Sequence, residues 1–485
     1  MSKFNLSNTR KTTNRSGHAA YSMLDKDRLV TMVLTSFFNE NKYYGDNSNE
    51  LVQLAEKLAS KDPQFVANLA VYARKEMHLR SVSHVLVSIV AKVNESKPYA
   101  PYVVRGVVER ADDITEIMAA YLSMYGKPFP NGLKKALGNA MKKFHAFSFS
   151  KYNGGNKNIK FKDVLRICHP HPDTTRQEKT FNMIINDTLP VAQRWETEIS
   201  ARGNTKEVWE DLIDNNRIGY MAALRNLRNM INAGPSNIQK IYDKLSNKEE
   251  VLKSKQLPFR FLSAYLNLPS NATSKVRDVL EDACEHSIDN LPKLPGKTII
   301  AIDVSCSMDS NISSRSDIRC NQIAMMLGLM ATKLCEESIV YTFSTKLDQM
   351  KVSRRSGILY TASNDRNWGG GTNMRLPLEK MINNQIQADR LIMLSDNEIN
   401  SGWYGGFKTT CQPLVDQYRR KINPDLWVHA IDLQGYGTQQ FIGDKTNIIA
   451  GWSERVLEFI SLAEKGISSQ VDMIENYHLL DEDDL

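Results

Sequence analysis

Four short apolar runs constrain this chain more than anything else in it: TIIAID at 298–303, IVYTF at 339–343, RLIMLSD at 390–396 and LWVHAID at 426–432. Stretches with helical spacing separate them, near 318–336, 374–384 and 411–421, and another follows near 453–465. Runs this short and this apolar are buried on both faces, as strands are when helices cover a parallel sheet from either side. A doubly wound α/β domain over residues 291–485 follows, closed by the acidic ENYHLLDEDDL. In that architecture ligands gather at the carboxyl ends of strands, where Asp303 and Asp396 fall.

Upstream of the Pro-punctuated LPKLPG linker (291–296) the rhythm is helical. LVQLAEKLAS sets Leu51, Leu54, Ala55 and Leu58 on one face, and Asp62-Pro63 reads as an N-cap followed by a first-turn proline. Amphipathic stretches recur near 64–76, 81–93, 101–125, 131–147, 178–200, 205–213, 217–232, 236–252, 258–266 and 273–288. Stacked helical pairs, an α-solenoid over residues 1–290, are expected. The first two dozen residues, rich in Ser, Thr, Asn, Lys and Arg, read as an extended arm.

No run of eighteen apolar residues and no charged-then-apolar leader occurs, and the six cysteines are scattered without a CxxC pair, so a cytoplasmic, non-membrane protein is expected. The net charge of +7 is uneven: residues 297–485 sum to −5, which leaves +12 on residues 1–296. The helical part is therefore the candidate for binding a polyanion.

Three limbs of the α/β part supply only oxygen. Asp303-x-Ser305-x-Ser307 is one, GGGT ending in Thr372 the second, and LSDNE with Asp396 the third. Hydroxyls with few carboxylates suit a hard divalent cation, Mg²⁺ above all, whose remaining positions take water or a partner's carboxylate. Three glycines before Thr372 let the backbone bend close to the ion. Helix capping accounts for an isolated DxSxS but not for GGGTN as well. The set resembles a von Willebrand factor A domain with its metal-ion-dependent adhesion site. A hydrolase needs a denser carboxylate set than Asp303, Asp396, Asp309 and Glu398, and nothing around Ser305 is like a nucleophile elbow, so no catalytic residue is expected.

The densest positive segment holds Lys134, Lys135, Lys142, Lys143, Lys151, Lys157, Lys160, Lys162 and Arg166 against one acid, Asp163. In LKKALGNAMKKF the apolar residues Leu133, Ala136, Leu137, Ala140, Met141 and Phe144 share a helical face, so the four lysines project from the other. A Gly- and Asn-rich loop with Tyr152 and a helix beginning near Phe161 extend the patch, which points to phosphate contact, with bases stacking on groups such as Tyr152. His169 and His171 lack the further ligands a zinc site needs; a His ending a basic helix caps carbonyls or meets a phosphate.

FKDVLRICHPHP, KEVWEDLI with GYMAALRNLRNM, LPFRFLSAY, and in the second half DVSCSM, GGGTN, LIMLSDNEINSG and YRRKINPDLWVHAIDLQGYG together resemble the TROVE family. The resemblance implies HEAT-type helical repeats closing into a ring, with the A domain joining its ends. It implies small non-coding Y-like RNA on the basic outer surface and single-stranded ends of misfolded RNAs in a central hole. Lys151 and His169 match family positions for the structured RNA, Lys157 a neighbouring one, and Arg225 and Arg228 are assigned to the hole; the competing reading buries these two arginines, paired to acids. A monomeric, non-enzymatic scaffold for RNA stabilisation and quality control is expected, presenting RNAs to a ribonuclease, with the metal site free to take a protein partner. The alternative is a metal-dependent protein-interaction module without an RNA ligand.

Overall fold

The computed structural model describes residues 10–36, 49–153, 158–191, 194–313, 316–353, 355–364, 369–400, 408–451, 455–466 and 469–479. Lys157 and the acidic residues from 480 onward lie outside the described residues. Packing divides the chain into two compact units, each built from two stretches: Asp25–Gln193 with Gln470–Leu485, and Met1–Leu24 with Arg194–Ser469. The change of rhythm near residue 290 therefore falls inside one packing unit.

The first unit is helical. Asp62 caps the Pro63–Lys75 helix by accepting the Phe65 amide at 3.2 Å, and Leu51, Leu54, Ala55 and Leu58 of the preceding helix are buried as their spacing requires. The expected continuous helix over 101–125 is instead two, Ala100–Val107 and Ala111–Tyr125. Asp113 turns the chain between them, its carboxylate accepting the Glu109 and Arg110 amides at 3.1 and 2.9 Å. Fully buried, Asp113 also takes Arg80 Nε at 2.6 Å, Arg74 at 3.2 Å and His84 Nε2 at 3.1 Å. Burial pushes its carboxyl up, but His84, Arg80 and Arg74 outweigh that and hold it well below the usual carboxylate range. Burial lowers His84, so the two arginines supply the compensating charge.

Three other expected helices are also shorter. The 131–147 stretch ends its helix at Met141, and 178–200 resolves into Thr175–Ile185 and Trp195–Arg202. The 236–252 stretch breaks at Asn247, whose backbone is extended and whose side chain accepts the Glu250 amide at 3.0 Å, capping Lys248–Ser254.

The second unit joins the helices from Trp195 to His286 to the α/β part. Its strands are β1 (Lys11–Thr13), β2 (Ala19–Ser22), β3 (Leu294–Asp303), β4 (Asn311–Ser313), β5 (Ser316–Arg319), β6 (Cys335–Phe343), β7 (Leu347–Met350), β8 (Arg390–Ser395), β9 (Trp427–Asp432), β10 (Thr438–Gln439) and β11 (Thr446–Ala450). The main sheet runs β11-β9-β8-β3-β6-β7, parallel except for the edge strand β7. β3 is buried from Thr298 to Asp303 and β8 along its whole length, as central parallel strands are. The Cys320–Leu334 helix lies tight on β3 because Gly328 has no side chain: a Cβ there would stand 2.6 Å from Ile302 Cδ1. Glu281, on the Ser274–His286 helix, accepts the Leu359 and Tyr360 amides at 3.0 and 2.7 Å and so caps the helix Ile358–Asn364.

The N-terminal residues do not form a free arm over 10–24. β1 and β2 pair antiparallel and β10 adds to β2, making a small sheet. Asn14 Nδ2 donates to the Ile399 carbonyl at 2.8 Å, Thr410 Oγ1 to the Tyr21 hydroxyl at 3.1 Å, and Met23 enters the core beside β3 and β8.

Candidate metal centre and RNA interface

The three oxygen limbs meet at the carboxyl ends of β3 and β8. Asp303, Ser305, Thr372 and Asp396 are buried, and Ser307 is half-buried. Asp303 Oδ1 accepts the Ser305 amide at 2.9 Å, and the Ser305 and Ser307 hydroxyls stand 3.2 Å apart, so the alternation turns both to one side of the loop. The Ser395 hydroxyl donates to Asp303 Oδ2 at 2.6 Å, tying the first limb to the third. The first and second are stitched by Cys306, whose amide donates to the Gly370 carbonyl at 3.1 Å while its Sγ accepts the Gly370 amide at 3.0 Å. Gly369 and Gly370 hold φ of 66° and 84°, left-handed values that favour glycine. Thr372 is fixed by a two-bond bridge with Asn400, at 2.7 and 2.8 Å.

Electrostatics match a cation site. Burial first, then the Asp396 carboxylate, push Asp303 up from the usual carboxylate range, and hydrogen bonds from Ser305 and Ser395 draw it back in part. Burial likewise raises Asp396, against hydrogen bonds from Ser307 and the Glu398 amide. Asp396 Oδ2 is buried with no hydrogen-bond partner among the described residues. Two neighbouring buried carboxylates, one with an orphaned oxygen, beside hydroxyls with lone pairs to give, are the donor set of a hard divalent cation. Among the described residues no three His, Cys, Asp or Glu side chains cluster to hold a metal, so such a site leans on its hydroxyls.

The basic segment lies in the helical unit. Lys134 and Lys135 are on the Asn131–Met141 helix, whose Leu133, Ala136, Leu137, Ala140 and Met141 are buried. Lys142 and Lys143 follow its end, Lys151 ends the short Ala146–Ser150 helix, and Lys160, Lys162, Arg166 and His169 belong to Phe161–Cys168 and its caps. Gly138 brings the two longer helices together: a Cβ there would sit 3.4 Å from the Cβ atoms of both Cys168 and Pro170.

Not every cation on this face is equally available. Lys142 pairs with Asp173 at 2.8 Å, Lys162 with Asp187 at 2.9 Å, and Lys143 Nζ donates to the Arg105 carbonyl at 2.7 Å. Lys134, Lys135, Lys151, Lys160 and Arg166 form no ion pair among the described residues, and all but Lys134 are exposed. The single acid, Asp163, is spent on the helix end, accepting the Lys160 amide at 2.9 Å. His169 is the C-cap, at φ 45° and ψ 52°, with its amide on the Leu165 carbonyl and its imidazole exposed. Tyr152 is half-buried and carries the Arg110 guanidinium 4.7 Å from its ring centroid. In the other unit Arg225 and Arg228, on Tyr220–Ala233, are exposed and form no ion pair among the described residues, so the reading that buries them against acids is overturned.

The TROVE domain model matches residues 22–189 and 186–338, and the Ro60 vWA domain model matches 297–440. The chain belongs to the TROVE family. Among curated proteins this TROVE chain is 27% identical over 214 residues to RNA-binding protein RO60 of Caenorhabditis elegans, covering 41% of the chain and 33% of that protein. It is 23% identical over 301 residues to telomerase protein component 1 of Rattus norvegicus, covering 44% of the chain and 11% of that protein. The TROVE chain thus matches a third or less of the length of these relatives. Its fold is similar to that of the Deinococcus radiodurans RO (RSR) protein, with TM-score 0.64 and 15% identity over 92% of this chain and 100% of that one.

Sequence reasoning misses three contributors to the candidate metal centre of the TROVE chain. Ser395 and Cys306 sit inside the oxygen-bearing motifs, but their contacts depend on strand register. Arg15, through its amide on Glu398 Oε2 at 3.1 Å and its guanidinium 4.3 Å from the Tyr436 ring centroid, comes from the N-terminal segment with the composition of an arm. No local signal distinguishes it.

Proposed function

We propose that this protein is a non-enzymatic RNA-binding scaffold whose basic helical face holds a small structured RNA. The observation that carries this reading is the set of exposed cations Lys135, Lys151, Lys160 and Arg166, unpaired among the described residues, on or at the ends of three helices of one basic segment that also carries the exposed imidazole of His169. Unpaired Lys and Arg on one face release counterions from a phosphate backbone, which paired surface charges do less well. The relative named RNA-binding protein RO60 and membership of the TROVE family support the same ligand class. The Tyr152 ring lies among the cations of this segment, with the Arg110 guanidinium 4.7 Å and Lys151 Nζ 5.3 Å from its centroid. Arg225 and Arg228 are assigned to single-stranded ends of misfolded RNAs, which puts the protein in RNA stabilisation and quality control.

In the same reading Asp303, Ser305, Ser307, Thr372 and Asp396 hold Mg²⁺, which supplies a fixed positive charge and an open position for a partner protein such as a ribonuclease. Asp303 and Asp396 are the charged anchors, while Ser305, Ser307 and Thr372 contribute neutral oxygens. Purification from the native cells, followed by sequencing of any accompanying nucleic acid from both ends, tests the RNA assignment. A dominant small structured RNA is expected. Protein free of RNA, recovered at low salt, would instead favour a metal-dependent protein-interaction module.

A further inference from the structure

Three neighbouring strands of the main sheet end in the same way. Asp303 closes β3, Asp396 follows the last residue of β8, and Asp432 closes β9. Each is buried, and each offers Oδ1 to the amide two residues on: Ser305 at 2.9 Å, Glu398 at 3.1 Å and Gln434 at 2.9 Å. Asp432 Oδ1 takes the Gly435 amide as well, at 2.8 Å.

Register places Asp432 on the metal side of the sheet. Ser395 pairs with Asp432 between β8 and β9, and Ile302 with Leu394 between β3 and β8, so Asp303, Ser395 and Asp432 form one row across three parallel strands. Residues in one cross-strand row share a face, with neighbouring strands about 4.8 Å apart. The 2.6 Å bond from Ser395 to Asp303 Oδ2 confirms the shared face for two of the three. Asp432 Oδ2 is buried and makes no hydrogen bond to a described residue, as is true of Asp396 Oδ2; the Asn397 side chain, near enough to draw the Asp432 carboxyl down, has its own buried Nδ2 without a partner among the described residues. A wholly buried carboxylate with one oxygen unused is costly unless a donor, a bound water or a positive charge sits beside it, and one amide does not offset the full charge. The nearest site built for positive charge is the one at Asp303 and Asp396.

We propose that Asp432 is a positioning residue of the metal site, holding a cation-bound water with Oδ2 and so adding a third negative charge around a hydrated divalent ion. The three acids do not close into a direct chelate. Asp432 therefore acts through water, in keeping with the many waters Mg²⁺ retains. This inference rests on the metal reading above and deepens it. Groups one shell out from a metal contribute roughly 10–100-fold in affinity.

The test compares Mg²⁺ binding by calorimetry to the full chain, unsubstituted and as D432N and D303N, with thermal unfolding of each in EDTA. D432N keeps an amide oxygen for the Gln434 and Gly435 amides but removes the charge. The expected result is Mg²⁺ binding by the unsubstituted protein, loss of binding in D303N, and binding roughly ten-fold weaker or worse in D432N, with a midpoint in EDTA equal to or above that of the unsubstituted chain. Unchanged Mg²⁺ affinity in D432N overturns the role of Asp432 and leaves the metal site standing. A lowered midpoint in EDTA with unchanged affinity likewise marks a merely structural residue. Absence of Mg²⁺ binding in the unsubstituted chain overturns both readings. Should D432N fail to fold, D432S, which keeps an oxygen acceptor in a smaller side chain, is read by the same criteria.

Discussion

Ser395 Oγ donates a 2.6 Å hydrogen bond to Asp303 Oδ2, joining the carboxyl ends of β8 and β3 inside the sheet. Without it a buried carboxylate oxygen would be left unsatisfied. Ser395→Ala is expected to cost about 1–3 kcal/mol of stability in chelator, measured by urea unfolding, and to weaken Mg²⁺ binding by loosening the anchor. Unchanged stability in chelator would mean that Asp303 finds another donor.

The buried charge at Asp113 predicts a larger effect in the helical unit. Asp113→Ala leaves buried Arg74 with Glu109 and half-buried Arg80 with Asp112 as their remaining acids, at 3.1 and 2.7 Å, and frees the Glu109 and Arg110 amides. A loss of about 3–5 kcal/mol is expected. Because Arg110 also lies over Tyr152, RNA affinity should fall together with stability. A variant as stable as the parent would show that the network is dispensable.

Acid sensitivity has an identifiable source in the other unit. Burial raises Glu464, but Arg390, bonding it at 2.7 Å through both Nε and an Nη, and then His429 hold it down at about 2. His429 is itself lowered by burial and so is neutral near pH 7, which leaves Arg390 as the effective counter-charge. A carboxyl depressed in the folded state contributes stability that is fully present above its ordinary value and lost as pH falls toward the folded one. Glu464→Gln should therefore remove roughly 2–3 kcal/mol at pH 7 and flatten the dependence of unfolding free energy on pH between about 5 and 2. The same slope in the variant would place the acid-labile group elsewhere.

Gly328 tests the fit of helix to sheet. Gly328→Ala puts a methyl into Ile302, and since the partner atom is a side-chain end that shifts partly, about 1–3 kcal/mol of destabilisation is expected in thermal unfolding. Gly328→Leu should prevent folding of this unit.

Much of this is legible in the sequence because burial leaves a simple trace. TIIAID and RLIMLSD are apolar on both faces and end in acids, so the pattern alone puts Asp303 and Asp396 at strand ends. The edge strand LDQM carries no such trace, being half exposed and polar. Helix breaks at Asp113 and Asn247 are hidden because the capping side chains interrupt stretches whose apolar spacing continues on either side. Asp432 ends LWVHAID just as Asp303 ends TIIAID, yet its row with Ser395 depends on register. Residues 10–24 look like an arm because their partners, Ile399, Thr410 and Thr438–Gln439, lie at the other end of the chain. On the basic segment, composition alone does not separate Lys142 and Lys162, held by Asp173 and Asp187, from Lys151, Lys160 and Arg166, which no acid among the described residues holds.

That separation makes the salt dependence of RNA binding the most direct measurement. Affinity for a small structured RNA would be followed against salt concentration for the unsubstituted protein, for Lys151→Ala/Lys160→Ala/Arg166→Ala combined, and for Lys142→Ala/Lys162→Ala combined. The triple variant should bind more weakly, with a log–log slope shallower by roughly 0.7–0.9 for each phosphate no longer neutralised, and the double variant should change less. A triple variant with the parent's affinity and slope would contradict RNA binding on this face.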